Sequence, residues 1–97
     1  MDFIIDDARS FLAAMLYIRM FGTLDDAFTS ADHEAGIVMR TYSFGKYIMY
    51  VDNMTQGIEF SIYDTANRTA YHYYALTSKY LLKVLGLPDS KFKVERY

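Results

Sequence analysis

The residues best suited to chemistry in this sequence are a histidine and the tyrosines beside it. His72 lies in the run Tyr71-His72-Tyr73-Tyr74, and a histidine among phenols can act as a general acid or base. A single histidine does so only with a positioned partner. The alternation of a strand instead places His72 on a solvent-facing side, together with Ala70 and Tyr74. We therefore predict a protein that is not an enzyme and has no catalytic residues.

Clustered carboxylates are the second chemical possibility, because hard cations bind to oxygen ligands. The candidates are the run Asp32-His33-Glu34 and the pairs Asp6-Asp7 and Asp25-Asp26. Neighbouring residues of a helix point about 100° apart, so adjacent carboxylates do not converge on one ion. His33 also lacks the second histidine, four residues on, that a zinc-binding helix needs. We predict no metal site and no cofactor.

Composition excludes several further classes of protein. The 97 residues contain no cysteine, which rules out disulfides, a thiolate nucleophile and cysteine-ligated metals. Glycine-rich phosphate-binding loops and the Gly-x-Ser-x-Gly nucleophile elbow are both absent from the sequence. With 53% hydrophobic and 23% charged residues, the chain is too apolar for intrinsic disorder. A single compact domain over residues 1–97 is expected.

The first element that would position these side chains is a helix. Apolar residues recur at spacings of three and four from Ile4 to Ile18, which is typical of an amphipathic helix. Asp2 or Asp6 is the predicted N-cap. Gly22 is the predicted left-handed stop.

Two more helices are predicted. Thr23 and Asp26 resemble a capping box with Asp in place of Glu, and helical spacing then continues over residues 24–36. The other helix covers residues 77–86 and ends at Gly86, shortly before the only proline.

Between these helices the pattern changes to alternation with β-branched and aromatic residues, which indicates strands. Short links predict an antiparallel meander over residues 37–44, 46–52, 58–63 and 69–74. Residues 91–97 alternate too and form either a charged edge strand or a tail. The predicted fold class is α+β: an antiparallel sheet of about four strands with a possible fifth at the C-terminus, two N-terminal helices and one C-terminal helix packed on one face.

Nucleic-acid binding is the main alternative function, because exposed aromatic rings on a sheet can stack on bases. Basic residues occur in the last part of the chain, at Lys79, Lys83, Lys91 and Lys93. Binding to a phosphate backbone depends on lysine and arginine, whereas this chain has a net charge of −2. Direct binding of single-stranded nucleic acid is therefore the less favoured interpretation.

Acidic residues and tyrosines favour a protein-binding function. Residues 1–34 contain seven acidic and two basic residues, and the whole chain has ten tyrosines. Tyrosine is enriched at interface hot spots, and an acidic surface can occupy a groove that normally binds phosphates. The predicted partner is a protein or complex with a basic surface, and the predicted partner-binding residues are Asp6, Asp7, Asp25, Asp26, Asp32, Glu34, Tyr42, Tyr50, Tyr63 and Tyr74.

In its size, its lack of cysteine and of catalytic motifs, and its predicted layout, the chain resembles the small phage-encoded inhibitors, anti-CRISPR proteins among them. The resemblance covers no alignable motif and assigns no residue a role. It implies a nucleic-acid mimic that blocks the nucleic-acid-binding surface of a host complex. A self-associating structural domain, for example a homodimer, is the other alternative.

The expected location is the cytoplasm. Arg9 and Arg19 interrupt the longest apolar stretch before it reaches the length of a membrane span. The start of the chain, Met1-Asp2-Phe3, lacks the basic flank of a secretory signal. We therefore expect no contact with a membrane.

Overall fold

A computed structural model describes residues 2–25, 38–54, 57–75 and 91–97 of the protein. Within these ranges there is one helix, α1 (Ala8–Phe21), and one six-stranded sheet. The strands are β1 (Thr23–Asp25), β2 (Val38–Phe44), β3 (Tyr47–Met54), β4 (Gly57–Asp64), β5 (Thr69–Ala75) and β6 (Phe92–Arg96).

Helix α1 confirms the first predicted helix, with a different N-cap. The cap is Asp7, whose carboxylate accepts a hydrogen bond of 2.7 Å from the backbone N–H of Ser10. The Ser10 hydroxyl accepts one of 3.0 Å in return from the backbone N–H of Asp7. The predicted caps, Asp2 and Asp6, were therefore wrong, because the carboxylate that accepts from the helix backbone is that of Asp7. The reciprocal pair with Ser10 satisfies two donors at the helix start, which makes Asp7 the better cap.

Gly22 ends the helix for a reason that differs from the predicted one. Its φ is −79°, so the expected left-handed conformation is wrong. A β-carbon at this position would lie 2.5 Å from the carbonyl oxygen of Ile18 and 2.8 Å from that of Ser43. Glycine is needed here because the chain passes close to two backbone carbonyls as it leaves the helix and enters the sheet.

The strands follow one another in the order β1-β2-β3-β4-β5-β6, and each neighbouring pair is antiparallel. The four predicted strands lie within two residues of β2 to β5, and the predicted meander is confirmed. Residues Phe92–Arg96 form an edge strand beside β5. In the turn between β2 and β3, Gly45 has a φ of +55°, a conformation that favours glycine in a two-residue hairpin.

The predicted fold class is wrong in its helices and in its number of strands. The described residues form mostly antiparallel sheet with a single helix, and not three helices on a four-stranded sheet. Thr23–Asp25, predicted to start a helix with a capping box at Thr23, is strand β1 and pairs with Thr41–Ser43 of β2. Hydrogen bonding to the edge of the sheet outweighed the local helical spacing. The rest of that helix, at 26–36, and the predicted helix at 77–86 lie outside the described residues.

The core lies between α1 and one face of the sheet. Side chains from successive turns of α1, including Phe11, Leu12 and Ile18, are fully buried against Met49 and Ile62. By the alternation of a strand, the neighbours of these core residues point to the other face. We call that other face, which no described helix covers, the open face.

Candidate functional site

The open face collects polar and aromatic side chains from adjacent strands. Glu59, Ser61 and Tyr63 of β4 alternate with the core residues Phe60 and Ile62, as the sequence predicted. The neighbouring strands place Tyr50 and Asp52 (β3), His72 and Tyr74 (β5) and Lys93 and Glu95 (β6) on the same side.

A depression of about 270 Å³ lies in the middle of the open face. Its lining residues are Tyr50, Asp52, Glu59, Ser61, Tyr63 and His72. Pockets for drug-sized ligands have volumes of roughly 300–1,000 Å³. The size of this depression therefore suits a single side chain or a small ion better than a large ligand.

Two carboxylates face each other at one side of the depression. Asp52 on β3 and Glu59 on β4 are directly opposite in the register of the sheet, and both residues are partly buried. Like charges directly opposite one another destabilise a pair of strands. Among the described residues, no lysine or arginine lies within ion-pair distance of either carboxylate. The depression therefore carries negative charge that no lysine or arginine of the described residues neutralises through a direct ion pair.

Aromatic rings form the other walls. The rings of Tyr50 and Tyr63 are 5.4 Å apart between centroids and at 88° to each other, while those of Tyr63 and His72 are 5.9 Å apart at 87°. Burial raises the pKa of Tyr63, and the negative charge of Glu95 raises it further. The shift reflects a site that is both partly dehydrated and electrically negative.

The floor contains a hydrogen-bonded pair, Ser61 and His72, which are opposite each other on β4 and β5. The Ser61 hydroxyl and Nδ1 of His72 are 2.7 Å apart. Glu59 Oε1 lies 3.9 Å from Nδ1, and Glu95 Oε2 lies 3.6 Å from Nε2. Nε2 is buried and makes no hydrogen bond within the described residues.

These atoms include a hydroxyl, an imidazole and a carboxylate, which are the groups of a nucleophilic triad. The arrangement nevertheless lacks features that acyl transfer needs. Ser61 is only 8% exposed and sits in the middle of a paired strand. In such a strand the backbone N–H groups take part in sheet pairing and do not form an oxyanion hole. The pair is better suited to hold the His72 ring in one orientation.

The predicted site residues are not all on this surface. Tyr50 and Tyr63 line the depression. Tyr74 also lies on the open face, opposite Glu59, with Lys91 Nζ 5.7 Å from its ring centroid. Tyr42 is 8% exposed and belongs to the core, so its ring is not available to a partner.

Of the predicted acidic residues, Asp25 on the edge strand β1 lies on the open face, because strand pairing through β2 places it in the same cross-strand row as Tyr50. Asp6 and Asp7 are at the start of α1, where Asp7 is the helix cap. Asp26, Asp32 and Glu34 lie outside the described residues. Another acid of the first third, Asp2, forms an ion pair of 2.7 Å with Lys46.

Three further acids on the open face, Asp52, Glu59 and Glu95, were not predicted as site residues. Alternation alone places Glu59 beside Ser61 and Tyr63. The signal for the complete group is the strand register, which brings three strands together and is not evident from residue spacing.

The described residues contain neither a metal-binding cluster nor a membrane-spanning helix. No group of three metal-ligating side chains occurs among the described residues, and the run 32–34 considered for metal lies outside them. No helix in the described ranges is long and apolar enough to cross a membrane.

No protein-family model, curated protein or solved structure matches this chain.

Proposed function

We propose that this protein is a non-enzymatic protein-binding module that presents an acidic, tyrosine-rich surface to a basic partner. The binding surface is the open face. The single observation that carries the proposal is the opposed pair Asp52 and Glu59 beside the rings of Tyr50 and Tyr63. Two opposed carboxylates that form no ion pair with a lysine or arginine of the described residues are stabilised when a cationic group of another molecule approaches them.

The rings beside the carboxylates suit a protein partner. Tyrosine provides a large, rigid contact area with a polar end, and it is common in the centre of protein interfaces. Tyr50 and Tyr63 restrict each other through their edge-to-face contact, so little side-chain entropy remains to be lost on binding.

Charge favours a protein over a nucleic acid as the partner. The tyrosines that could stack on bases share the open face with Asp52, Glu59 and Glu95, which repel phosphates. Two lysines lie on the same face at its β6 edge: Lys91, beside the ring of Tyr74, and Lys93. Two lysines next to these carboxylates provide little of the counterion release that drives backbone binding.

In its more specific form, the proposal is that the protein acts in the cytoplasm as an inhibitor that covers the basic, nucleic-acid-binding surface of its partner. Exposed clusters of lysine and arginine are the usual signature of such surfaces. An acidic face of fixed geometry would compete there with phosphate groups, and complementary charge would speed the encounter.

The proposal can be tested with basic peptides as defined substitutes for a basic surface. Hexa-lysine and hexa-arginine would each be titrated into the isotopically labelled protein at low salt, with binding followed by NMR. We expect shifts of the Tyr50, Tyr63 and His72 signals, and weaker binding as salt is added, because exposed charges are screened. The variant Asp52→Asn should weaken binding by about three- to tenfold.

The matched control is Asp6→Asn, which removes the same charge from the start of α1, on the other side of the sheet. Its amide keeps the oxygen that accepts the hydrogen bond from Ser10. Binding by this variant should be nearly unchanged. The proposal is wrong if neither peptide shifts the open-face signals, or if Asp6→Asn weakens binding as much as Asp52→Asn does.

A further inference from the structure

We infer that the depression on the open face is a receptor for one arginine side chain of the partner. This inference rests on the proposed function and adds to it the chemical group that is recognised. Size is the first argument for it. About 270 Å³ can hold one extended side chain but not a folded segment of another protein.

Hydrogen-bonding capacity is the second argument. A guanidinium has five N–H donors in a fixed plane and no acceptor. The carboxylates of Asp52 and Glu59 come from adjacent strands, and each ionised carboxylate accepts several hydrogen bonds and donates none. A planar donor with N–H groups on two edges can reach both carboxylates at once, which the single ammonium group of a lysine does less well.

The aromatic walls are the third argument. Guanidinium groups stack on aromatic faces and are attracted by their electrons. Tyr50 and Tyr63 stand almost perpendicular to each other beside the two acids, so the depression combines flat apolar walls with negative charge. A strongly hydrated ammonium gains less from such walls because it must lose more water to reach them.

Binding would also be compatible with the floor of the depression. Ser61 and His72 are hydrogen-bonded to each other, so that pair does not depend on the ligand. The guanidinium would be bound by Asp52 and Glu59 and flanked by the tyrosines, while the Ser61 and His72 pair supports the floor.

The test compares three small probes of similar length: N-acetyl-argininamide, N-acetyl-lysinamide and N-acetyl-citrullinamide. Citrulline has the planar shape of arginine without its charge. Protein labelled in its tyrosine rings and histidines would be titrated with each probe and followed by NMR. We expect the arginine probe to shift the Tyr50 and Tyr63 signals and to bind about threefold or more tightly than the lysine probe. The citrulline probe should produce no saturable shift, because it lacks the charge.

Asp52→Asn should weaken binding of the arginine probe by about three- to tenfold, and Asp6→Asn should leave it nearly unchanged. Unfolding curves of both variants show whether each remains folded. Equal binding of the arginine and lysine probes at the depression would overturn the inference while leaving the proposed function in place. Binding of the citrulline probe as tight as that of arginine would also overturn it. If neither the cationic probes nor the basic hexapeptides affect the open face, the proposed function fails as well.

Discussion

The opposed carboxylates of Asp52 and Glu59 should reduce the stability of the free protein, and this can be measured. Asp52→Asn removes one charge and almost preserves shape. Asp52 is the better position for the test because Glu59 also lies 3.9 Å from Nδ1 of His72, so that changing Glu59 would alter two interactions. We expect the variant to be more stable than the natural protein, although it binds a basic partner less tightly.

The size of the effect follows from the register of the sheet. Directly opposite side chains are about 5 Å apart at their β-carbons. Two like charges at this separation repel by about 0.8 kcal/mol at the dielectric constant of water. Cross-strand pairs in general contribute roughly 0.2–1 kcal/mol. The expected gain in the free energy of unfolding is therefore about 0.3–1 kcal/mol at low salt, or about 2–6 °C in Tm for a domain of this size.

The assay is urea unfolding at neutral pH, followed by circular dichroism, at low and at high salt. The urea midpoint of Asp52→Asn should rise without a change in the m-value, since the surface exposed on unfolding is the same. Added salt should reduce the gain, because it screens the repulsion in the natural protein. Asp6→Asn serves as the control and should change the midpoint little. A loss of stability in Asp52→Asn at low salt, or a gain that salt does not reduce, would refute the electrostatic reasoning.

Three other predictions concern the fold and the charges around it. Gly22→Ala should destabilise the protein by about 1–3 kcal/mol in urea unfolding, because its β-carbon would collide with two backbone carbonyls; an unchanged midpoint would contradict the close approach. Burial pushes the pKa of Asp64 upward, but hydrogen bonds from Asn67, with the nearby charge of Lys46, outweigh it and hold the pKa below its ordinary value. The stabilisation by the ionised Asp64 carboxylate should therefore be complete above about pH 4 and be lost as pH falls through its folded-state pKa. A plot of the free energy of unfolding against pH should consequently be flatter on its acid side for Asp64→Asn. Burial raises the pKa of Tyr63 most, and the negative charge of Glu95 raises it further. Glu95→Gln should therefore lower the pKa of Tyr63 in an NMR titration of the tyrosine rings, and an unchanged pKa would show that the charge of Glu95 does not act on Tyr63.

Several elements could be predicted from the sequence because their cause is local. The apolar spacing between Ile4 and Ile18 is sufficient to identify α1, although the helix starts later, at Ala8. Alternation and glycine-containing or Asp-Asn turns located strands β2 to β5. The N-cap needed one more detail, the side chain of Ser10, which both donates to and accepts from the residues before the helix.

The second helix failed as a prediction because local spacing was the wrong criterion. Thr23–Asp25 is compatible with either a helix or a short strand, and the free edge of β2 decided between them. No pattern within those residues contains that information, since the partner strand begins at Val38. Pairing with a distant strand is a property of the assembled sheet.

The sequence by itself determined the large number of tyrosines and carboxylates, and alternation determined that Glu59, Ser61 and Tyr63 would share a side. Which tyrosines are exposed was decided by packing, since Tyr42, Tyr47 and Tyr73 are buried in the core. Which acids meet was decided only by the tertiary structure. Antiparallel register sets Asp52 opposite Glu59, and the edge strand β6 brings Glu95 beside His72. The physical reason is that electrostatic interaction depends on distance in space, and strand pairing brings together charges that are far apart in the chain.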